Sequence, residues 1–223
     1  MKYIQKLDTP DFFTQQTQFL PNWDKYNSKR KKRLKKYMLE NEQGYLCCYC
    51  ESKVTILGDI ENDGSHLEHI KPKKFYDNLT FYYQNLIVSC NGTCHNNKLD
   101  KTRYSCGHKK DNDYDETKFL NPTIVTDIRD YFKYETIENE RIRIIPTNKA
   151  PAKAQYMIDT LSLNSKTLLK ARFTAIKDFE LSQENIMKNF GIEFTEEEII
   201  ETLFTEELAF ISTLRYEYGI YEN

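Results

Sequence analysis

All six cysteines of this 223-residue chain fall between Cys47 and Cys106, on either side of the run His66-Leu67-Glu68-His69. Cys47-Cys48-Tyr49-Cys50 comes before that run, and Cys90, Cys94 and Cys106 come after it. No other feature constrains the fold as much. Residues 45–110 are poor in long helical periodicities. They are rich in turn signals: Leu57-Gly58-Asp59, Asn62-Asp63-Gly64 and Asn91-Gly92. Such a region has little core of its own, and a zinc clamp made from cysteines can supply the missing stability. Small zinc domains gain apparent values on the order of 10 kcal/mol or more from their metal. Met1 to Phe13 has no apolar signal core, so the expected compartment is the cytoplasm, where cysteines serve as thiols or metal ligands rather than disulfides.

Hydrophobic residues make up 39% of the chain and charged residues 30%. No apolar run approaches the roughly 18–20 residues of a membrane span. The net charge of −2 excludes a molecule that traps nucleic acid by bulk charge. Charge is placed unevenly, however. Lys29 to Lys36 reads KRKKRLKK, and Lys71, Lys73 and Lys74 adjoin the histidines, whereas Glu196-Glu197-Glu198 and Glu206-Glu207 lie near the end. A basic working face and an acidic far side are expected.

The chain divides by pattern into residues 1–44, a helical arm; 45–120, the cysteine–histidine core; and 121–223, mainly helical. Asp8-Thr9-Pro10 marks a helix start. Residues 28–43 read as a basic helix with Leu34, Tyr37 and Met38 inward, ended by Gly44. His66 to Ile70 reads as a strand stopped by Pro72, and Leu86-Ile87-Val88 as its partner. Arg141 to Ile144 alternates like a half-exposed strand. Helices are expected over Ala152 to Leu161, after a cap at Asn164 or Ser165, and over about Glu206 to Glu217, with a capping box at Thr195 and Glu198. The fold class is α+β, a mostly helical chain around a small zinc-stabilised core.

A carboxylate beside a histidine suits phosphodiester hydrolysis. Glu68 can hold a divalent cation, which prefers oxygen and tolerates imidazole, while His69 takes a proton from water. Asn85 can fix the His69 ring. Neighbours on a regular strand point to opposite faces, so a twist or bulge is expected if Glu68 and His69 are to reach one phosphate.

Three segments carry a family resemblance: Cys47-Cys-Tyr-Cys50-Glu51, His66-Leu-Glu68-His69-Ile-Lys-Pro72-Lys73 and Asn85-Leu-Ile-Val-Ser-Cys90-Asn. They resemble the HNH nucleases of the Septu anti-phage defence system, the PtuB-like proteins also found with some retrons. Cys106-Gly107-His108-Lys109 and Phe119-Leu-Asn-Pro122 are similar to later landmarks of the same proteins. The resemblance implies a ββα-metal (His-Me finger) core. It implies that Glu68 binds Mg²⁺ or Mn²⁺, that His69 is the general base and that Asn85 orients it. It also implies a partner ATPase subunit and a nucleic-acid substrate, DNA ahead of RNA, held by Lys71, Lys73, Lys74 and Lys109.

Two registers complete the metal sites. Cys47, Cys50 and Cys90 need a fourth zinc ligand. Either Cys94 supplies it and His95 joins Glu68 on the catalytic ion, or Cys106 and His108 do so. The second matches the family's cysteine–glycine–histidine arrangement and makes residues 91–105 an excursion. Cys48 is expected to be packed, His66 to line the cleft, bond Glu68 or lie on the surface, and Trp23 to be core or a stacking platform for a base. The competing expectation is a non-catalytic zinc module that binds nucleic acid or protein through its basic helix.

Overall fold

The computed structural model describes residues 1–58, 64–92, 104–190, 195, 198 and 202–220. In chain order the elements are α1 (Asp11–Thr17), α2 (Ser28–Met38), β1 (Ser65–His69), β2 (Leu86–Cys90), α3 (Cys106–Lys110), β3 (Phe132–Ile137), β4 (Arg141–Pro146), α4 (Pro151–Thr160), α5 (Lys166–Phe190) and α6 (Ile211–Glu217). The described chain is therefore mixed α and β, with two small antiparallel sheets, β1–β2 and β3–β4.

Asn27 caps α2 by accepting from the Arg30 N–H at 3.0 Å, and Leu34 and Met38 are its buried face. The expected helix to residue 43 continues, but its last turn, Leu39–Gln43, widens to a π-helix before Gly44 ends it at φ 58°. The widened turn turns Gln43 inward. Its amide accepts from the Val88 N–H at 2.8 Å and donates to the Val88 carbonyl at 2.9 Å, so it stands in for a third strand beside β2. The basic run is not uniformly a working face. The Lys35 ammonium is turned inward onto the carbonyls of Ile56 and Ser65, where burial lowers its pKa to about 8.

The β1–β2 pair runs unbroken from Ser65↔Cys90 to His69↔Leu86, and every residue of β2 is buried. No bulge interrupts this register, so of the two expected devices, twist or bulge, the bulge is not used between Glu68 and His69. β3 is an addition to the expected strands, and its Phe132 and Tyr134 point inward between exposed or half-exposed neighbours. The final helix starts at Ile211 rather than near Glu206. Glu206 is held by Arg215 at 2.8 Å and by Arg129, and Phe210 takes a left-handed φ of 54° before the first turn. Thr195 and Glu198 do exchange capping bonds, with the Glu198 carboxylate accepting from the Thr195 N–H at 2.8 Å.

One buried core runs through all three sequence segments, from Ile4 and Phe13 through Tyr49, Ile87 and Val88 to Ile144, Leu161 and Leu214. The carboxy-terminal part buttresses the cysteine region directly. The Cys106 N–H donates to the Leu161 carbonyl at the end of α4 (2.8 Å), and the Phe210 N–H donates to the Glu51 carbonyl (2.9 Å). The buried Glu51 carboxylate accepts from the Ser212 N–H at 2.9 Å.

Candidate functional site

Two donor clusters form side by side, the first on the turn after α2, β2 and α3, the second on β1 and α3. The first is sulfur. Cys47 and Cys50 come from the turn after α2, Cys90 ends β2 and Cys106 begins α3. Their four Sγ atoms lie within 4.8 Å of one another, and all four residues are buried. Cys50 and Cys90 are 3.8 Å apart, far beyond the roughly 2.05 Å of a disulfide. A tetrahedron with metal–sulfur bonds of about 2.3 Å has edges of about 3.8 Å, so the spacing suits a cation shared by all four. The Cys90 N–H donates to the Cys47 sulfur at 3.2 Å, and the turn closes with the Glu51 N–H on the Cys47 carbonyl at 3.1 Å.

The buried thiols compete for charge, so Cys47 is held low while Cys90 and Cys106 are pushed up. Burial opposes ionisation of Cys47, yet hydrogen bonds from Cys106, Cys48, Cys50 and Cys90 outweigh it and hold its thiol well below the ordinary value. Cys106 is pushed well up, first by its bond to Cys47. Four thiolates in a buried site need a cation to neutralise them. Cys48 is buried but stands outside the four, as expected of a packed residue.

The second cluster is nitrogen and oxygen. Glu68 projects toward α3. Its Oε1 accepts from the buried Lys110 ammonium at 2.8 Å, and the Tyr49 hydroxyl is 3.5 Å away. Its Oε2 lies 3.6 Å from His66 Nε2. Burial works against the charge on Glu68, but His66 and Lys110 prevail and hold the carboxyl below its ordinary value. The His108 ring stacks on His66 with centroids 4.0 Å apart and planes 12° from parallel. Gly107 makes this approach possible. A Cβ there would sit 2.7 Å from His66 Nε2 and 2.8 Å from Glu68 Oε2, so only glycine leaves the space between them open.

His69 leaves β1 on the other face. Its Nε2 is 3.0 Å from the Thr80 carbonyl, which can only accept. The Nε2 atom therefore carries the hydrogen and Nδ1 keeps its lone pair. Burial lowers the His69 pKa to about 4, so the ring is neutral near pH 7. Trp23 meets it edge-on at 4.6 Å and packs against Phe81 at 5.8 Å. Trp23 is thus a half-buried wall beside His69 rather than deep core.

The hydrogen bonds of the Asn85 side chain go to the backbone of Lys71 and Leu79 and not to the His69 ring. Its carbonyl accepts from the Lys71 N–H at 2.8 Å, and its amide donates to the Lys71 carbonyl at 3.0 Å. It closes the loop that carries Thr80, and the Thr80 carbonyl in turn fixes the imidazole. Lys71 is paired with Glu116. Lys73, Lys74 and Lys109 are exposed, and Lys74 lies 5.4 Å from the Phe75 ring centre. Cys94 and His95, the alternative ligands, lie outside the described residues.

Sequence reasoning did not single out Lys110 or Thr80, and it named Gly107 only as part of the cysteine–glycine–histidine arrangement. Lys110 had a readable signal, because it sits one helical turn after Cys106 and shares its inward face. Thr80 contributes only a backbone carbonyl, which no residue type announces.

No family model matches the chain. It is similar to a protein of Vibrio cholerae serotype O1 biovar El Tor named "Retron Vc95 putative HNH endonuclease", with 33% identity over 140 residues. The match covers 61% of this chain and 60% of the length of that curated relative. No helix among the described residues is long and apolar enough to cross a membrane.

Proposed function

We propose that this chain is an HNH-type endonuclease that hydrolyses nucleic-acid phosphodiester bonds, DNA ahead of RNA, with a ββα-metal core held by structural Zn²⁺. The observation that carries the reading is His69: a buried, neutral imidazole whose Nε2 is committed to Thr80, next in sequence to a carboxylate that Lys110 holds ionised. The similarity to a retron-associated nuclease supports the same class. Its retron context and the Septu resemblance support a cytoplasmic effector that works with an ATPase partner in anti-phage defence.

Cys47, Cys50, Cys90 and Cys106 would hold the zinc. Glu68 and His108 would hold Mg²⁺ or Mn²⁺, which when bound supplies positive charge to the phosphate and the leaving oxygen. His69 Nδ1 accepts the proton of the attacking water as its oxygen bonds to phosphorus and the ester oxygen departs. Thr80 keeps the ring in the tautomer that leaves Nδ1 basic, and Asn85 keeps Thr80 in place through the loop. Lys110 keeps Glu68 charged and fixes one of its oxygens, leaving the other for the cation. The exposed Lys73, Lys74 and Lys109 would meet backbone phosphates.

The test is plasmid cleavage by the zinc-loaded protein with Mg²⁺ or Mn²⁺. His69→Ala should cut about 10²–10⁴-fold more slowly, with zinc content and melting temperature retained. Equal rates for the two proteins would remove His69 as the base. A wild-type protein that binds DNA without cutting it would favour the non-catalytic zinc module.

A further inference from the structure

His66 is not needed as the base or in the sulfur cluster, yet it is built into the site with care. Its Nε2 is buried and has no hydrogen-bond partner among the described residues. A buried imidazole nitrogen without a partner is costly, and such atoms in native sites call for an explanation. That atom faces Glu68 Oε2 at 3.6 Å, across the space that Gly107 leaves open.

Asn91 accounts for the orientation of both stacked rings. Its side-chain oxygen lies 3.3 Å from His66 Nδ1, and its backbone carbonyl lies 3.2 Å from His108 Nδ1. Both acceptors belong to one residue, and each places the ring hydrogen on Nδ1. Each imidazole then presents an Nε2 lone pair. A ligating histidine that donates its other nitrogen to a carbonyl is the usual outer support of a metal site.

We infer that His66 Nε2 is a third protein ligand of the catalytic ion, with Glu68 and His108, and that Asn91 is the positioning residue that sets both imidazoles. The inference rests on the nuclease reading only for what the ion does there. Two imidazoles and one carboxylate make a softer donor set than Mg²⁺ prefers, so the site should select Mn²⁺ and similar transition ions.

Manganese binding to the zinc-loaded protein tests this without reference to cleavage. Wild type should bind one Mn²⁺, at least about tenfold more tightly than Mg²⁺, and pulsed electron paramagnetic resonance should show coupling to two imidazole nitrogens. His66→Ala should keep its zinc and its circular dichroism, show one nitrogen and bind Mn²⁺ about 10–100-fold more weakly. Asn91→Ala, which removes one of the two acceptors, should weaken Mn²⁺ by a smaller factor of the same origin. If His66→Ala fails to fold, the nitrogen count in wild type decides.

A wild-type spectrum with a single nitrogen overturns the inference, as does a folded His66→Ala protein with unchanged Mn²⁺ affinity. If that wild-type protein still cuts DNA, the nuclease reading stands without the third ligand. A two-nitrogen site in a protein that does not cut keeps the inference and removes the nuclease reading. A protein that binds no Mn²⁺ removes the inference.

Discussion

The sulfur cluster and the histidine–carboxylate cluster share α3 but solve opposite problems. The four cysteines are buried and their sulfurs are mutually in reach, so a cation there would have a full set of four protein ligands. In the second cluster His66 and His108 are half-buried, Glu68 gives one oxygen to Lys110 and keeps the other facing the Gly107 gap. A closed set of donors stabilises a fold, whereas an open set leaves room for chemistry. α3 joins them, because Cys106 starts it on the sulfur side and Lys110 ends it under Glu68. The closed site thereby fixes the height at which the open site's carboxylate is held.

The sharpest way to break this division is to open the closed site. Cys106→Ser should abolish zinc binding and the cooperative melt together. The apparent worth of such a metal, on the order of 10 kcal/mol, is comparable to the whole stability of a domain, about 5–15 kcal/mol. Metal analysis and thermal denaturation followed by circular dichroism check it. A Cys106→Ser protein with full zinc and an unchanged melt would place the fourth ligand elsewhere, with Cys94 the next residue to test.

The next largest effect should come from the link between the clusters. Lys110 is buried with its ammonium on Glu68 Oε1 at 2.8 Å and on the His69 carbonyl at 3.0 Å. Lys110→Met leaves a buried carboxylate without its cation, which typically costs about 3–5 kcal/mol. Adding Glu68→Gln should recover much of that loss while cleavage stays absent. Urea denaturation of the two proteins gives the comparison. Equal stability of the single and double variants would mean that the pair is not coupled.

What the sequence made legible follows the same division. Cysteines and histidines announce themselves by residue type. The sequence therefore pointed to Cys47, Cys50, Cys90, Glu68, His69 and His108 as chemically special before any fold was known. The strand at Leu86 to Val88 was legible because it is a short apolar run after a polar stretch. Contributions made through the backbone were not legible, the Thr80 carbonyl on His69 and the Asn91 carbonyl on His108, and neither was the Gln43 side-chain amide that replaces a strand. The family resemblance assigned Asn85 to the ring, but its side chain bonds the Lys71 backbone twice and the Leu79 carbonyl once. The final helix was read too long because Glu206 is a good helix former, and ion pairs with Arg129 and Arg215 overrode that propensity.

Asn85 sharpens the comparison from the open side. Asn85→Ala removes the partner of the part-buried N–H and carbonyl of Lys71, a loss of about 0.5–1.5 kcal/mol. The sulfur cluster does not depend on that loop, so zinc content should hold. Cleavage should fall, because the Thr80 carbonyl no longer keeps His69 in one tautomer. A fall in kcat with KM little changed, together with full zinc, separates this from general unfolding. An Asn85→Ala protein with wild-type kcat would show that the loop holds Thr80 without it.

The smallest effects should lie at the rim of the open cluster, and they distinguish lysines that look alike in sequence. Lys71 is committed to Glu116 and lies over the Tyr76 ring at 5.2 Å, whereas Lys73 and Lys74 are exposed. A lysine that neutralises a phosphate releases a counterion, and the slope of log affinity against log salt changes by about 0.7–0.9 for each such contact. Lys73→Ala and Lys74→Ala should each reduce the slope by about that amount, and the double variant by about twice as much. Binding should weaken uniformly across DNA sequences, because phosphate contacts carry no base information. Lys71→Ala should change the slope less, since its charge is already balanced by a carboxylate. Fluorescence anisotropy with a labelled duplex over a range of salt concentrations measures all four proteins, with a catalytically silent His69→Ala background to prevent cutting. A Lys71 effect as large as that of Lys73 would mean that DNA displaces Glu116, and the rim would then include the loop that carries it.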